Sequence, residues 1–201
     1  MSSTSGTLQN PIATQSAEER DRIIAELNKL GVIGLYDLVD GKVILKGGKP
    51  KLAHLKTELI YTLNSFLKEH PIGMLFVNLS LRLFSDNDRQ LRTPDLSVYR
   101  TENCPKLGDE LPTVAPDLAI EILSHDDPFF ISYILDNVDL YLSKGGKVVW
   151  IVIPAKACVW IWTARGRRWE YETLTCPEVL PDWSLDLKKF FPPINEDEIE
   201  A

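Results

Sequence analysis

A chain of 201 residues with 44% hydrophobic and 25% charged side chains carries enough apolar material for one well-packed domain and too much to be largely disordered. Its formal net charge of -7 excludes a globally basic, nucleic-acid-coating surface, so any nucleic-acid binding has to be local or metal-assisted. No apolar run approaches the roughly 20 residues that cross a bilayer, and the opening MSSTSGTLQNPIATQ has neither a basic region nor an apolar stretch, so a soluble, cytoplasmic protein with no membrane contact is expected.

Residues 1–15 are Ser/Thr-rich and read as a flexible N-terminus, residues 16–191 as a single domain, and residues 192–201 as an acidic tail. The first helix is expected to start at Ser16, which has capping-box spacing to Glu19, to carry the stripe Ile23, Ile24, Leu27 and Leu30, and to stop at Gly31. LYDLVDGKVILK then reads as a hairpin about Asp40-Gly41, with Asp37 inside its first strand. Over residues 52–68, Leu55, Leu59, Leu63, Phe66 and Leu67 recur at helical spacing, with His54 on the flank.

Residues 73–84 and 91–99 form two β-like runs joined by SDNDRQ, and a polar loop covers residues 101–114. Residues 117–123 are almost continuously apolar, as in a strand covered on both faces. Asp127 and Pro128 open a helix with the core stripe Ile131, Ile134, Leu135, Val138 and Leu142, ended by Gly145-Gly146. A strand over residues 147–153 follows, completing a right-handed βαβ crossover. CVWIWTA and RWEYETL make a C-terminal hairpin about Arg165-Gly166-Arg167, with the tryptophans expected mainly in the core. The predicted class is α/β, bordering on α+β: a mixed central sheet flanked by helices. Cys104, Cys158 and Cys176 form no CxxC pair and read as reduced thiols, with no zinc site.

Asp95 in RTPDLSVYR and Glu121 in APDLAIEILS stand among Leu, Val and Ile that exclude ionised groups. A buried carboxylate is costly to desolvate, so each needs a cation, a donor network or a proton. On neighbouring strands the two would reach one hard divalent ion, magnesium or manganese, and the absence of a His/Cys cluster disfavours zinc or copper. Such an ion is the minimum apparatus for phosphodiester hydrolysis. Spacing alone leaves a structural ion pair open as the alternative. Asp117 repeats the Pro-Asp dipeptide at a strand entrance and reads as a partner for backbone donors.

In order, YDLVDGKV, the helix with His54, RTPDLSVYR, APDLAIEILS and a helix leading into YLSKGGKVVWIVIP resemble the Uma-type family of putative restriction endonucleases, abundant in cyanobacteria and placed in the PD-(D/E)XK nuclease superfamily. The resemblance runs from about residue 35 to about residue 190. It implies a restriction-endonuclease-like core, a magnesium-type (or manganese) site, DNA as substrate and a homodimer. Carried over by resemblance, Asp95 and Glu121 are metal ligands, Asp37 supports them where the family usually has Glu, and His54 matches a frequent family His.

The departure is at the lysine. Two residues after the acidic ligand stands Leu123, and the family's helix lysine corresponds to Asn137, which can position a water or phosphate by hydrogen bonding but carries no charge. The resemblance therefore implies either a metal-dependent DNA endonuclease weakened at Asn137, or a catalytically inactive relative acting as a nucleic-acid or protein interaction module. Lys51, Lys56, Arg82 and Arg92 read as ordinary solvated charges.

Overall fold

A computed structural model describes residues 22, 36–39, 42–45, 50–84, 91–123 and 128–191. The N-terminus of residues 1–15, the helix between Ser16 and Gly31 apart from the helical Arg22, the Asp40-Gly41 turn, the SDNDRQ connection, the cap Asp127 and the tail of residues 192–201 lie outside the described residues. Strands β1 (Tyr36–Val39) and β2 (Lys42–Leu45) pair antiparallel, as the hairpin reading requires. Helix α1 (Pro50–Glu69) follows, then β3 (Gly73–Val77), β4 (Leu96–Arg100), β5 (Leu118–Ile122), helix α2 (Pro128–Ser143), β6 (Val148–Ile153), β7 (Cys158–Thr163) and β8 (Gly166–Glu170).

These six strands form one mixed sheet in the order β3-β4-β5-β6-β7-β8, antiparallel throughout except for the parallel β5–β6 pair that α2 connects. A second small pair, β9 (Thr173–Cys176) with β10 (Leu180–Asp186), leads into the short helix α3 (Leu187–Phe190), whose first N–H groups are capped by the Asp186 side chain. Among the described residues no helix is long and apolar enough to cross a membrane.

Alternation along the strands assigns each side chain to a layer. Leu96, Val98, Leu118, Ile120, Val148, Trp150 and Val152 meet the α1 stripe Leu55, Leu59, Leu63 and Leu67. Tyr99, Ala119, Val149 and Ile151 meet Tyr133, Ile134, Val138 and Tyr141 of α2. Every residue of β5 and β6 is buried, which is why their sequences are nearly unbroken apolar runs. Glu121, next to Ile120, therefore falls in the α2 layer. At the other end of α2 the chain passes so close to β5 that a Cβ on Gly146 would stand 2.8 Å from the Tyr141 carbonyl oxygen and 3.1 Å from that of Pro116.

The structure departs from the expected strand limits in a consequential way. The runs at 73–84 and 91–99 pair as strands only between 73–77 and 96–100, followed by the isolated bridge Leu81↔Arg92. Asn78 takes a left-handed φ of 51° directly after β3, and Pro94 has no N–H to give to a ladder. Asp95 thus precedes β4 instead of lying within the expected run of residues 91–99. RWEYETL, expected as one strand of the C-terminal hairpin, divides instead: β8 ends at Glu170 and Thr173 opens β9, which pairs with β10. Pro181 in β10 is accommodated by a register shift between Leu180 and Ser184, with Asp182 at φ 66°. Of the tryptophans, Trp150 and Trp183 stack in the core at 5.5 Å between ring centroids, whereas Trp169 is 42% exposed.

Burial pushes the Cys176 thiol up from 9.0 to about 12, and it also raises the phenols of Tyr99 and Tyr141. The folded protein then keeps protons that the unfolded chain releases. The resulting stabilisation is intact below pH 9.0 and is lost as pH rises through about 12. Urea midpoints measured across that interval should fall steadily, and more gently in Cys176→Ala; a flat profile contradicts the assignment.

Candidate active site

Asp95 is held at the mouth of the β4–β5 ladder by donors from two elements. Its Oδ2 accepts the Ile122 N–H at 2.8 Å, closing the end of β5, and its Oδ1 accepts Lys56 Nζ at 2.9 Å. Lys56 also donates to Asn78 Oδ1 at 2.5 Å, while the Asn78 N–H donates to the Asp95 carbonyl at 3.1 Å. The clasp joins α1, the end of β3 and the entrance of β4. Asp95 and Lys56 keep 19% and 20% of their side-chain surface in solvent, so the pair is shielded but reachable.

Asp117 repeats this arrangement at the opposite end of the same ladder. Its Oδ2 accepts the Arg100 N–H at 2.8 Å, and its Oδ1 accepts Asn103 Nδ2 and Lys147 Nζ, each at 2.9 Å. Each Pro-Asp carboxylate thus accepts the N–H one residue beyond its register partner and binds a lysine. Asp117 is 1% exposed and structural, as its sequence context suggests. The two ends differ in what stands opposite. Extending the register Leu96↔Ile120 by one residue sets Asp95 against Glu121, whereas extending Val98↔Leu118 sets Asp117 against Tyr99. Directly opposite residues carry their Cβ atoms about 4.5–5.5 Å apart. Only the Asp95 end has a second acid in that position, and there the side chains part: Asp95 binds Lys56 of α1, while Glu121 enters the α2 layer.

Glu121 is 2% exposed and turns into the α2 layer, where Tyr141 donates its OH to Oε1 at 3.0 Å. Two helical turns earlier, Tyr133 donates to Oδ2 of the fully buried Asp37 from β1. Asn137 lies midway between these tyrosines on the same helix face, fully buried, and neither its Oδ1 nor its Nδ2 is hydrogen-bonded among the described residues. Ser97 Oγ, on the α2 side of β4, is likewise buried without a partner among them. Burial, then the charges of Glu121 and Asp37, hold the Tyr141 phenol well above its ordinary range, while Arg92 pulls the other way. These groups share one electrostatic environment, and Tyr141 enters it as a proton donor.

The structure therefore gathers three predicted residues, Asp37, Glu121 and Asn137, along α2 and sets Asp95 at the adjoining ladder end. His54 is exposed on α1, and its side chain makes no hydrogen bond among the described residues. Among those residues no three His, Cys, Asp or Glu side chains stand close enough to hold an ion together, so Asp37, Asp95 and Glu121 do not form a ready-made cage. The donor chemistry still suits a hard ion. Magnesium is commonly bound through one or two carboxylates, with water and substrate oxygens completing the shell, and the unpartnered Asn137 and Ser97 oxygens lie in the layer that Glu121 enters.

Lys56, Asn78, Ser97, Tyr133 and Tyr141 are the contributors that sequence reasoning missed or set aside. For Lys56 a signal was available: Leu52, Lys56, Leu59 and Leu63 follow helical spacing, so a cation interrupts a core-facing stripe. Tyr133, Asn137 and Tyr141, four residues apart, form a polar line beside the apolar Ile134 and Val138.

The family model Uma2, described as putative restriction endonuclease, matches residues 33–192. Among solved structures, the chain is similar to the crystal structure of a putative nuclease belonging to DUF820 from Anabaena variabilis ATCC 29413, with a TM-score of 0.66 and 23% identity over 78% of this chain and 89% of that one. At that identity the likeness speaks for the fold. No curated protein matches the chain.

The unpartnered amide of Asn137 makes an apolar replacement favourable: Asn137→Leu should raise the unfolding free energy by about 1–3 kcal/mol, since the buried polar atoms are removed. Tyr141→Phe should lower it by about 1.5–3 kcal/mol by withdrawing a hydrogen bond to a charged acceptor. Urea denaturation of the two variants checks both signs.

Proposed function

The chain belongs to the Uma2 family of putative restriction endonucleases, and from that premise we propose that it hydrolyses phosphodiester bonds of DNA with a divalent ion, magnesium or manganese, held by Asp95 and Glu121. The observation that carries this reading is that Asp95, bound to the Ile122 N–H, and Glu121, the residue before it, stand at one end of the β4–β5 ladder, beside buried polar atoms that have no hydrogen-bond partner among the described residues. The chemistry such an ion supplies is polarisation of a phosphoryl oxygen and a lowered pKa for water.

The remaining work falls to the chain. Tyr141 holds Glu121 in place through Oε1, and Tyr133 does the same for Asp37, which adds negative charge behind the site. Lys56, fixed by Asp95 and Asn78, supplies positive charge on the α1 side of the ladder end, where an anionic phosphate needs it. Asn137 offers an amide to orient the attacking water and no charge to stabilise the developing anion. The reaction is slow for that reason.

A second reading is favoured by the same Asn137 and by Asp117: the fold keeps nuclease architecture as a non-cleaving nucleic-acid or protein interaction module. A Pro-Asp carboxylate with its lysine closes the far end of the ladder without any acid opposite it, so that arrangement is sufficient for structure alone.

Plasmid nicking in magnesium or manganese separates the two. The first reading expects slow nicking by the wild type, abolished by chelation and in Glu121→Ala and Asp95→Ala, and faster by up to about 100- to 1000-fold in Asn137→Lys, as restoration of one preorganised charged donor allows. Equal nicking by wild type and Glu121→Ala removes it. An inert wild type that gains cleavage as Asn137→Lys supports the second reading, which robust wild-type turnover excludes.

A further inference from the structure

We infer that the cavity between α2 and the outer strands of the sheet receives one unstacked nucleobase of a single-stranded stretch of nucleic acid. This rests on the reading of the neighbouring ladder end as a phosphodiester site, and it adds the form of the substrate. The cavity has a volume of about 380 Å³ and is lined by Leu123, Ile134, Ile151, Lys156, Trp160 and Trp169, among others. That volume falls within the roughly 300–1,000 Å³ range of small-ligand sites. Leu123 follows Glu121 by two residues, and its N–H continues the ladder to the Val152 carbonyl at 2.9 Å. Two residues of strand span about 7 Å, so the cavity begins where the candidate site ends.

Its walls suit a flat, aromatic, weakly polar group attached to an anion. Trp169 stacks on Trp160 with centroids 4.6 Å apart and planes 5° from parallel. The Arg167 guanidinium lies 5.6 Å from the centroid of Trp160 and 5.0 Å from that of Trp162. Trp160 Nε1 is a buried donor without an acceptor among the described residues. Of the described lining residues only Lys156 is charged, so in a chain of net charge -7 this slot holds a cation and no carboxylate.

An aromatic platform with cations beside it is how sequence-tolerant single-strand sites work: the base stacks, and the phosphates meet Lys and Arg. An apolar peptide side chain would gain burial but leave Lys156 and Arg167 without anions. A second copy of this chain would bring another seven net negative charges to the encounter. A base pair inside a duplex cannot enter, because its bases are stacked on their neighbours. The cavity therefore favours single strands, or duplexes from which one base has been extruded.

The test is equilibrium binding in chelator, where no cleavage occurs, read by anisotropy of labelled strands and by quenching of tryptophan fluorescence. The probes are an oligothymidylate, an all-abasic strand of equal length and charge, and a fully paired duplex. The oligothymidylate should bind about 5- to 150-fold more tightly than the abasic strand, the span set by one stacked base, and should quench the tryptophans. Trp169→Ala, at an exposed position whose loss leaves the core intact, should erase that difference while leaving abasic binding unchanged. Equal affinity for the thymidylate and abasic strands overturns the inference, as does a preference that survives in Trp169→Ala. So does a concentration-dependent dimer that Trp169→Ala dissolves without any base-dependent binding, which would make the slot an interface between copies. Base-dependent binding by a protein that never nicks DNA sinks the nuclease reading alone, and nicking without base-dependent binding sinks this one alone.

Discussion

An ionised carboxylate enters a sheet covered on both faces only if donors follow it in, and the β4–β5 ladder is built around that requirement. At each end a Pro-Asp carboxylate takes the last unpaired N–H of the neighbouring strand and draws a lysine from another element, Lys56 from α1 at one end and Lys147 before β6 at the other. Each contact satisfies a backbone donor that would otherwise be stranded where the ladder stops. The same pair of bonds ties flanking elements to the central strands, so sheet, helix and loop positions depend on two acids that hydrophobicity alone would have removed.

Against this symmetry, the asymmetry of the ladder carries the functional argument. One residue beyond the Leu96↔Ile120 pair, Glu121 adds a second acid at the Asp95 end and turns into the α2 layer, whereas one residue beyond the Val98↔Leu118 pair the Asp117 end has Tyr99. Tyr141 and Tyr133 escort Glu121 and Asp37 into that layer, and Asn137 between them brings two polar atoms with no hydrogen-bond partner among the described residues. Buried polar groups are normally satisfied, and exceptions concentrate where a water, an ion or a substrate completes the set. A lysine at Asn137 would stand among carboxylates that favour its charged form. A neutral amide leaves their negative charge less balanced.

The strand edge beyond β6 has a different character. There the apolar alternation continues into tryptophans that α2 only partly covers, so Trp160 and Trp162 are half-buried and Trp169 reaches solvent. Arg167 settles over two of these rings, an arrangement that keeps a cation beside apolar surface without burying it. Because α2 crosses from β5 to β6 and stops short of the outer strands, a cavity opens between helix and hairpin, continuous with the strand that carries Glu121.

Much of the architecture is determined by local pattern. The period of Leu55, Leu59, Leu63 and Leu67, the turn glycines 145 and 146, and the unbroken apolar runs of β5 and β6 specify helix, stop and doubly covered strands with little help from distant residues. The same patterns flag Asp95 and Glu121 as acids in an apolar setting, and the ordered motifs point to the family. Tertiary structure alone decided what those acids touch. Lys56 lies 39 positions from Asp95 and Tyr133 lies 96 from Asp37, so no spacing rule relates them. The pairing of β9 with β10 likewise depends on a register shift at Pro181 that only the three-dimensional ladder shows. Periodicity reports which face of an element is buried; which polar partner waits on that face depends on layers assembled from remote parts of the chain, and the balance of charge at the candidate site depends on those layers.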